Sequence, residues 1–537
     1  MIAWYWLTAF LSGAGVLVVE MSAPRALAPF FGQAQFVWTN VIGLILFALA
    51  LGNVLGGRLA DRRSSPRLLG AILIVAAAVV AAAAFLPAAV SRAILPDRLP
   101  LEAAYSFLFK GSFLATLVCF APPVFLLGAV QPFLVRCATR RLEEVGRASG
   151  RLYGASTLGS IAGTFLTSYL LLAEFGTRGT MLLAAALLLA SSVPAFVAGR
   201  EGTSRKGGAA VVAALVGMGV APFALREWAP GLLEAVPGAA WGELVVARDS
   251  RYQHLEVRLR DDLALPARVL AIDEGHDSFQ SVTPKAGTWT GGLYYDYFTL
   301  LALDQARSGR LRVAILGFGA GTHARQLLEF VGGRCELSIV GVELDPEVVA
   351  LGRQELSLPE DPRLVVHVEL DARTFVDHSR ERFDLIMVDC YNRQSFLPPH
   401  VASLEFFKAA RTRLADDGAL ALNLFGYGAR DPVVEAVTNT IAVAFEREVA
   451  VCAVPSTANF LVFARSSGEL RLPPEWDAQG LPEEGLRLLQ GLRAPAQCFR
   501  VGPRHDAVVL TDDAGILDRL QERRLRRRSE ALLRSVP

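Results

Sequence analysis

Residues 312–326 have the sequence RVAILGFGAGTHARQ, in which an apolar run leads into closely spaced glycines and then a helix-forming segment. A strand, a glycine turn and a helix in this order form the loop that binds nucleotides in many α/β proteins. Gly317, Gly319 and Gly321 let the backbone turn tightly and approach a ligand closely. A dinucleotide loop has a further glycine where this chain has Thr322, so the pattern does not favour a pyrophosphate. A purely structural turn is the alternative.

Apolar runs alternate with helix-forming segments from residue 311 onward. The predicted strands are LRVAILGF, LSIVGVEL, LVVHVEL, FDLIMVDC and GALALNLF. Apolar strands separated by helices indicate a parallel sheet that is covered on both faces. Before them, ELVVARDSRYQHLEVRLRDD and ARVLAIDEG alternate in polarity, which predicts a small antiparallel sheet.

Three acidic residues follow successive strands of the predicted parallel sheet. Glu343 ends the second strand, where an acid commonly accepts ribose hydroxyls. Asp371 follows the third strand at a position that suits contact with an adenine amino group, and Asp389 ends the fourth. The carboxyl ends of parallel strands share one crevice, so we expect the three carboxylates to converge there. The alternative for Glu343 and Asp371 is that each caps the helix that follows it.

The first 225 residues carry the apolar excess of a chain that is 53% hydrophobic and 20% charged. A helix needs about 20 apolar residues to cross the hydrocarbon core of a bilayer. Seven runs satisfy this length, near 3–20, 36–57, 68–89, 111–135, 152–173, 179–198 and 209–226. We therefore predict an N-terminal multi-span α-helical membrane domain over residues 1–226, with the lipid bilayer as its partner.

The loops of this half indicate its orientation. Arginine and lysine concentrate in alternate loops, which places the N-terminus in the cytoplasm. We predict a multi-pass protein of the cell membrane whose C-terminal half is also cytoplasmic, where nucleotide cofactors are found. Seven spans would place that half outside. The prediction therefore requires that residues 209–226 do not cross, or that residues 230–241 return as a partial span.

Charge and cysteine content exclude several classes of function. The net charge of +1 gives no reason to expect a nucleic-acid partner. The six cysteines contain no CxxC pair, so neither a zinc site nor a disulfide framework is indicated. A basic run near the end is interpreted as a solvated helix face, with contact to anionic lipid as the alternative. Its members are Arg523, Arg524, Arg526, Arg527 and Arg528.

Several motifs over roughly residues 245–465 together resemble the spermidine synthase family of polyamine aminopropyltransferases. SRYQHLEV is similar to the family's S-x-Y-Q-x-I/L-x-V, and DEGHDSFQSV is similar to D-G-x-x-Q. LYYDYFTLL stands where the family has Y-H-E-M-x-T. A membrane half ahead of such a domain resembles the membrane-fused spermidine synthase-like proteins. The resemblance implies a linker and small sheet over 227–310, and an α/β class I methyltransferase-like (Rossmann-like) catalytic domain over 311–537.

The resemblance also implies ligands and residue roles. Decarboxylated S-adenosylmethionine, or S-adenosylmethionine itself, would be the co-substrate, an amine would be the acceptor, no metal would take part, and the protein would form a homodimer. Asp389 would be the general base that takes a proton from the amine. The implied cofactor contacts are Gln253, Gln280, Gly317, Gly319, Gly321, Glu343, Asp371 and Ala372, and the implied substrate contacts are Tyr294, Tyr295, Asp296 and Asn392.

Three positions depart from the family pattern at groups that recognise amines. Ala320 replaces an aspartate that would hold the cofactor's amine, Asn392 replaces one that would hold the diamine, and Tyr295 replaces a histidine. The sequence therefore predicts a membrane-anchored aminopropyltransferase that acts on a (poly)amine. The alternatives are an S-adenosylmethionine-dependent methyltransferase with another acceptor and a membrane transporter that senses a polyamine or nucleoside.

Overall fold

The computed structural model describes residues 2–31, 35–94, 104–139, 141, 144–197, 241–273, 279–306, 309–391, 396–476, 478, 481–494, 497–513, 516–521 and 523–524. The chain divides into two compact units. The first comprises Met1–Ala240, Ala247–Leu255 and Asp273–Asp277, and the second comprises Trp241–Val246, Glu256–Ile272 and Ser278–Pro537. The predicted boundary after residue 226 lies outside the described residues, and the one after residue 310 stays a prediction.

The described residues between 2 and 197 form mainly helices. They are Ile2–Phe31, Gln35–Arg62, Pro66–Ala83, Leu86–Ile94, Ala104–Cys119, Ala121–Ala138, Val145–Leu166 and Leu172–Val197, the last two joined by the π-helical turn Thr167–Leu171. Among the described helices, five are long and apolar enough to cross a membrane, namely Ala3–Phe31, Val37–Arg62, Pro66–Ala83, Ala121–Ala138 and Glu174–Phe196. Residues 209–226 lie outside the described part of the chain, so a total of seven spans stays a prediction.

Two predicted spans meet breaks that the sequence explains. The run 111–135 is divided at Phe120, because Pro122 and Pro123 suit the first turn of a new helix and cannot continue an old one. The run 111–135 is therefore not one continuous helix, and its second part belongs to Ala121–Ala138, which is long and apolar enough to cross a membrane. The helix over 172–197 kinks at Gly176, whose φ of 63° is open mainly to glycine. This kink lies between the runs predicted at 152–173 and 179–198. The second run corresponds to the candidate span Glu174–Phe196, and two separate spans stay a prediction.

Glycines allow two helices of this unit to lie with their backbones in contact. A Cβ atom on Gly159 would lie 1.9 Å from the carbonyl oxygen of Phe10, and one on Gly163 would lie 2.7 Å from that of Ala14. The helices Ile2–Phe31 and Val145–Leu166 therefore approach each other as closely as their backbones permit. Small residues at such positions are typical of helix pairs in membranes, as the sequence GASTLGSIAGTF at 154–165 predicted.

Two sheets follow the helical part. The smaller has four strands in the order β1-β2-β3-β4, with β3 and β4 antiparallel. These strands are β1 (Glu243–Asp249), β2 (His254–Arg260), β3 (Ala267–Ile272) and β4 (Ser281–Pro284). The larger has eight strands, which are β5 (Arg310–Leu316), β6 (Glu336–Val342), β7 (Leu364–His367), β8 (Phe383–Val388), β9 (Leu414–Phe425), β10 (Val449–Ala453), β11 (Asn459–Arg465) and β12 (Cys498–Val501).

The larger sheet has the order β12-β10-β11-β9-β8-β5-β6-β7. Strands β5 to β9 pair in parallel, which confirms the predicted parallel sheet, and β10 to β12 extend it with antiparallel pairs. Buried apolar clusters cover both faces. The helices of this unit are Tyr294–Gln305, Thr322–Gln326 with the π turn Leu327–Val331, Pro346–Glu355, Ala372–His378, Leu404–Thr412, Pro432–Phe445 and Glu483–Leu492.

The strand order places a ligand crevice at the centre of this sheet. The chain passes from β5 outward to β6 and β7, then returns to the other side of β5 to form β8. Such a reversal of direction leaves a crevice at the carboxyl ends of the two central strands, and open α/β sheets bind their ligands there. The loop after β5 and the residues after β8 therefore lie side by side.

Two expectations about the C-terminal half are wrong. Cys452 of β10 lies opposite Cys498 of β12, and the two form a disulfide although no spacing in the sequence indicated one. Arg524 is not on a solvated face, because only 7% of it is exposed and its guanidinium donates to the carbonyl oxygen of Phe425 at 2.9 Å. It also lies 3.8 Å from a carboxylate oxygen of Asp431. Residues 526–528 lie outside the described part of the chain.

Candidate active site

The glycine loop after β5 requires glycine at each predicted position. Gly317, Gly319 and Gly321 have φ values of 77°, 58° and 89°, which residues with side chains rarely adopt. A Cβ atom on Gly317 would lie 2.4 Å from the carbonyl oxygen of Asp389. The loop thus lies directly against the end of β8. Its backbone is free to approach a ligand in the crevice.

Glu343, after β6, holds the loop. Its Oε2 accepts a hydrogen bond from the backbone N–H of Gly319 at 2.8 Å, and its Oε1 accepts one from Asp345 at 3.1 Å. A carboxylate oxygen has a second acceptor position, so each oxygen can still accept a ribose hydroxyl. Burial raises the pKa of Glu343, and the backbone donors partly offset that effect. The contact with ribose stays a prediction.

Asp371 has the capping role that was the alternative for it. It accepts hydrogen bonds from the backbone N–H groups of Arg373 at 2.9 Å and Thr374 at 3.1 Å, which starts the helix Ala372–His378. Its second oxygen lies 3.0 Å from Nε2 of His400. Ala372 is buried as the first residue of this helix. Contacts of Asp371 and Ala372 with the adenosyl group stay predictions.

Asp389 lies at the end of β8 among three polar side chains. Its Oδ2 accepts from the hydroxyl of Tyr294 at 2.9 Å and lies 3.3 Å from Nε2 of His323. Its Oδ1 accepts from Nδ2 of Asn423 at 2.9 Å. Only 8% of the Asp389 side chain is exposed. A buried carboxylate that is held at both oxygens has a fixed direction, which suits a group that orients an amine and takes its proton.

Two of these partners were missed in the sequence. Asn423 lies on β9, and its Oδ1 accepts from Nδ2 of Asn459 on β11 at 2.9 Å, which fixes its amide. A lone asparagine in the apolar run ALALNLF was a visible signal. His323 follows the glycine loop and was visible as a polar residue at the start of a helix. Neither signal in the sequence indicates that Asn423 and His323 lie close to Asp389.

Tyr294 and Tyr295 have different environments, although they are adjacent and their rings stack 4.0 Å apart. Tyr294 contacts Asp389, and burial together with the nearby Asp389 charge raises the pKa of Tyr294 well above its usual value. Its hydroxyl therefore stays protonated and donates. Tyr295 is buried, and its hydroxyl donates to the carbonyl oxygen of Gln280 at 2.9 Å. The structure thus brings Tyr294 to the carboxylate and uses Tyr295 to hold the segment before β4.

Asp296 is fully buried and surrounded by donors. Its Oδ1 accepts from the backbone N–H of Thr290 at 2.9 Å and from Nε2 of Gln326 at 2.6 Å, and its Oδ2 accepts from Gly292 at 2.8 Å. Burial raises the pKa of Asp296, while these donors lower it. The contacts fix the start of the helix Tyr294–Gln305. A direct contact with substrate stays a prediction for Asp296.

The remaining predicted residues are divided between described and undescribed segments. The Oε1 of Gln280 accepts from the backbone N–H of Ile272 at 2.9 Å, and Gln253 follows a turn closed by Ser250. Asn392 lies outside the described residues. Within the described part of the chain, no three or more His, Cys, Asp or Glu side chains are grouped so that they could hold a metal ion.

The comparisons with known proteins match this domain. The family model described as "Spermine/spermidine synthase domain" matches residues 301–471. A "Probable polyamine aminopropyl transferase" of Bifidobacterium longum is 33% identical over 226 residues, which are 41% of this chain and 46% of that protein. The match thus spans about half the length of that relative. "Polyamine aminopropyltransferase 2" of Ralstonia nicotianae is 26% identical over 78% of this chain and 77% of its own.

A solved structure, that of a probable spermidine synthase from Corynebacterium glutamicum, matches 52% of this chain and 98% of its own with 16% identity and a TM-score of 0.39. The family model matches the part of the chain that carries the glycine loop, Glu343, Asp371 and Asp389. The family model over residues 301–471 and the related polyamine aminopropyltransferases support the resemblance to the spermidine synthase family that the motifs predicted.

Proposed function

We propose that this protein is a membrane-anchored aminopropyltransferase that transfers the aminopropyl group of decarboxylated S-adenosylmethionine to a (poly)amine. The observation that supports this most directly is the position of Asp389, buried beside the glycine loop with Tyr294 and Asn423 fixing its two oxygens. The names of the related polyamine aminopropyltransferases agree with that reaction.

The chemistry requires little more than orientation and a proton acceptor. The acceptor nitrogen forms a bond to the carbon next to the sulfonium while the carbon–sulfur bond breaks, and a neutral thioether leaves with the electron pair. An alkylamine has a pKa near about 10.4, so its deprotonation at neutral pH costs roughly 4–5 kcal/mol. In this proposal Asp389 accepts that proton, and the Tyr294 hydroxyl and Asn423 amide hold the carboxylate in line.

Cofactor contacts complete the proposal. Gly317, Gly319 and Gly321 give close backbone approach, and Glu343 accepts the ribose hydroxyls. Asp371, Ala372, Gln253 and Gln280 contact the rest of the adenosyl group, and Tyr295, Asp296 and Asn392 border the acceptor. The helical unit anchors the domain in the cell membrane with both the N-terminus and the synthase domain in the cytoplasm. A homodimer is part of the same proposal.

One observation favours a second candidate, a methyltransferase that uses intact S-adenosylmethionine. Ala320 is buried, and its backbone N–H donates to the hydroxyl of Ser281 at 2.9 Å. Its methyl side chain provides no acceptor for an ammonium group where the family has an aspartate. The loss of that carboxylate weakens recognition of the amine end of the cofactor, which the aminopropyl reaction transfers.

A product assay separates the two candidates. The full chain in detergent is incubated with decarboxylated or intact S-adenosylmethionine and a panel of polyamines, and the products are read by mass. We expect an aminopropyl increment on one amine together with methylthioadenosine. A methyl increment with intact S-adenosylmethionine, and no aminopropylated product, would instead establish the second candidate.

Asp389→Asn tests the proton acceptor. We expect kcat to fall about 10²- to 10⁴-fold, because the amide cannot take a proton, while affinity for methylthioadenosine changes less than about threefold. Steady-state rates and calorimetric binding check this. Asp416→Asn, at an exposed position, serves as the matched control. Turnover by Asp389→Asn within about threefold of the wild type would contradict the assignment.

A further inference from the structure

His323 is a buried titratable group that the proposed mechanism does not use. Only 3% of its side chain is exposed, and its Nε2 lies 3.3 Å from the same Oδ2 of Asp389 that accepts from Tyr294. Its Nδ1 is buried without a hydrogen-bond partner among the described residues. The imidazole of His323 therefore contacts the proposed proton acceptor, Asp389, through Nε2, while its Nδ1 is available to bind a proton. This position allows it to change how readily Asp389 accepts a proton.

The surroundings of His323 fix the plane of its ring. The ring centroids of Tyr295 and Phe298 lie 5.0 Å and 4.9 Å away, and that of Tyr294 lies 6.1 Å away. These residues belong to the helix Tyr294–Gln305, which packs against the imidazole, and Asp389 faces it from the end of β8. The titratable groups that face His323 are therefore Asp389, Tyr294 and Tyr295. Both tyrosines have a raised pKa and stay neutral.

We propose that His323 is a positioning residue that holds Oδ2 of Asp389 through Nε2 and controls its ability to accept a proton. Neutral His323 donates one N–H to the carboxylate and leaves Asp389 able to take the proton of the acceptor amine. A second proton, on Nδ1, converts the contact into an ion pair, in which Asp389 is a weaker proton acceptor.

This inference rests on the proposed function and deepens it. In the transfer step the amine nitrogen bonds to the aminopropyl carbon, the carbon–sulfur electron pair stays on the thioether, and the amine proton moves to Asp389. His323 neither gains nor loses a proton in that step. When His323 is protonated before the step, Asp389 accepts the amine proton less readily. His323 should therefore determine the acid side of the pH–rate profile.

Two substitutions separate positioning from packing. His323→Gln keeps an N–H donor for Asp389 but cannot titrate, whereas His323→Phe keeps a ring against Tyr295 and Phe298 but has no donor. We expect kcat of the Phe variant to fall about tenfold or more, with KM for the cofactor within about threefold of the wild type. We expect the Gln variant to recover most of kcat while its acid limb moves to lower pH. His505→Gln, at an exposed position, is the matched control.

Each outcome decides a different point. The role of His323 is overturned if the wild type turns over and the Phe variant has an unchanged kcat. It is also overturned if the acid limb of the Gln variant does not move. Either result leaves the proposed function standing. No turnover by wild type with any acceptor overturns the proposed function and this role with it. Binding of methylthioadenosine by each variant identifies a misfolded one.

A second measurement does not depend on activity or on the Phe variant. The seven histidines of the full chain are labelled with ¹³C at Cε1, and their titrations are followed in detergent, with His323→Gln identifying the signal. We expect Asp389→Asn to move the midpoint of that titration to lower pH, because the anion that favours imidazolium is removed. An unmoved midpoint overturns the pairing itself.

Discussion

Glu343 holds the fold through both of its carboxylate oxygens, and in the proposed function the same carboxylate also accepts ribose hydroxyls. Both of its oxygens already accept backbone N–H groups, from Gly319 in the loop and from Asp345 at the next helix. Asp389 is held by side chains instead, from two helices and β9. Loss of the first carboxylate should therefore disturb binding, whereas loss of the second should disturb turnover.

Glu343→Gln should weaken the affinity for methylthioadenosine about tenfold, because the amide NH₂ must face one of the two backbone donors. In the wild type we also expect affinity to fall as pH decreases toward the raised pKa of Glu343, since protonation removes an acceptor. The Gln variant should lack this pH dependence. Calorimetry between about pH 5 and about pH 8 checks both points, with Glu360→Gln at an exposed position as control. Equal affinities for variant and wild type would refute the role of Glu343.

At the scale of elements, the helical unit depends on contacts that only glycine permits. Gly159→Leu should prevent the helices Ile2–Phe31 and Val145–Leu166 from packing, because its Cβ would overlap the carbonyl oxygen of Phe10. Gly154→Leu, on the same helix, serves as control, because a Cβ atom there would meet no other atom within 4 Å. We expect the yield of monodisperse protein in detergent to fall several-fold for Gly159→Leu only. Similar yields for both variants would show that this contact is dispensable.

The disulfide between β10 and β12 ties an antiparallel extension to the parallel sheet. Its cysteines are 46 residues apart, and closing such a loop in the unfolded chain stabilises a domain by about 2–4 kcal/mol. The double substitution Cys452→Ala and Cys498→Ala should lower the unfolding midpoint by roughly 4–16 °C. Reductant should lower the wild-type midpoint and leave that of the double variant unchanged. Cys335→Ala, which removes a free cysteine, is the control. An unfolding midpoint of the wild type that does not change with reductant would contradict the prediction.

For the whole molecule, the number of membrane spans determines on which side of the membrane the synthase domain lies. The proposed cofactor favours the cytoplasm, whereas a disulfide is typical of oxidising compartments and seven spans would place the domain outside.

A thiol-labelling experiment decides the orientation. If the synthase domain is cytoplasmic as proposed, the partly exposed Cys335 should resist a membrane-impermeant maleimide in intact cells and react after permeabilisation. A Cys335→Ala variant shows how much labelling comes from other cysteines. Labelling of Cys335 in intact cells would place the domain outside and would favour seven spans.

Local patterns in the sequence determined the apolar helical half, the alternation of strands and helices, the glycine loop and the acids that follow the strands. They did so because hydrophobic periodicity and glycine spacing act over a few residues, and the carboxyl ends of parallel strands share one edge. The sequence also carried motifs that resemble the spermidine synthase family, and the family model matches residues 301–471, which include the glycine loop and the three acids.

Only the tertiary structure decided which side chains meet. Asn423 and His323 contact Asp389 from positions 34 and 66 residues away. The disulfide and the buried Arg524 likewise join segments distant in sequence. These contacts depend on the strand order, in which β8 returns beside β5 and β10 lies between β11 and β12. Strand order is a property of packing over the whole sheet, and no local pattern specifies it.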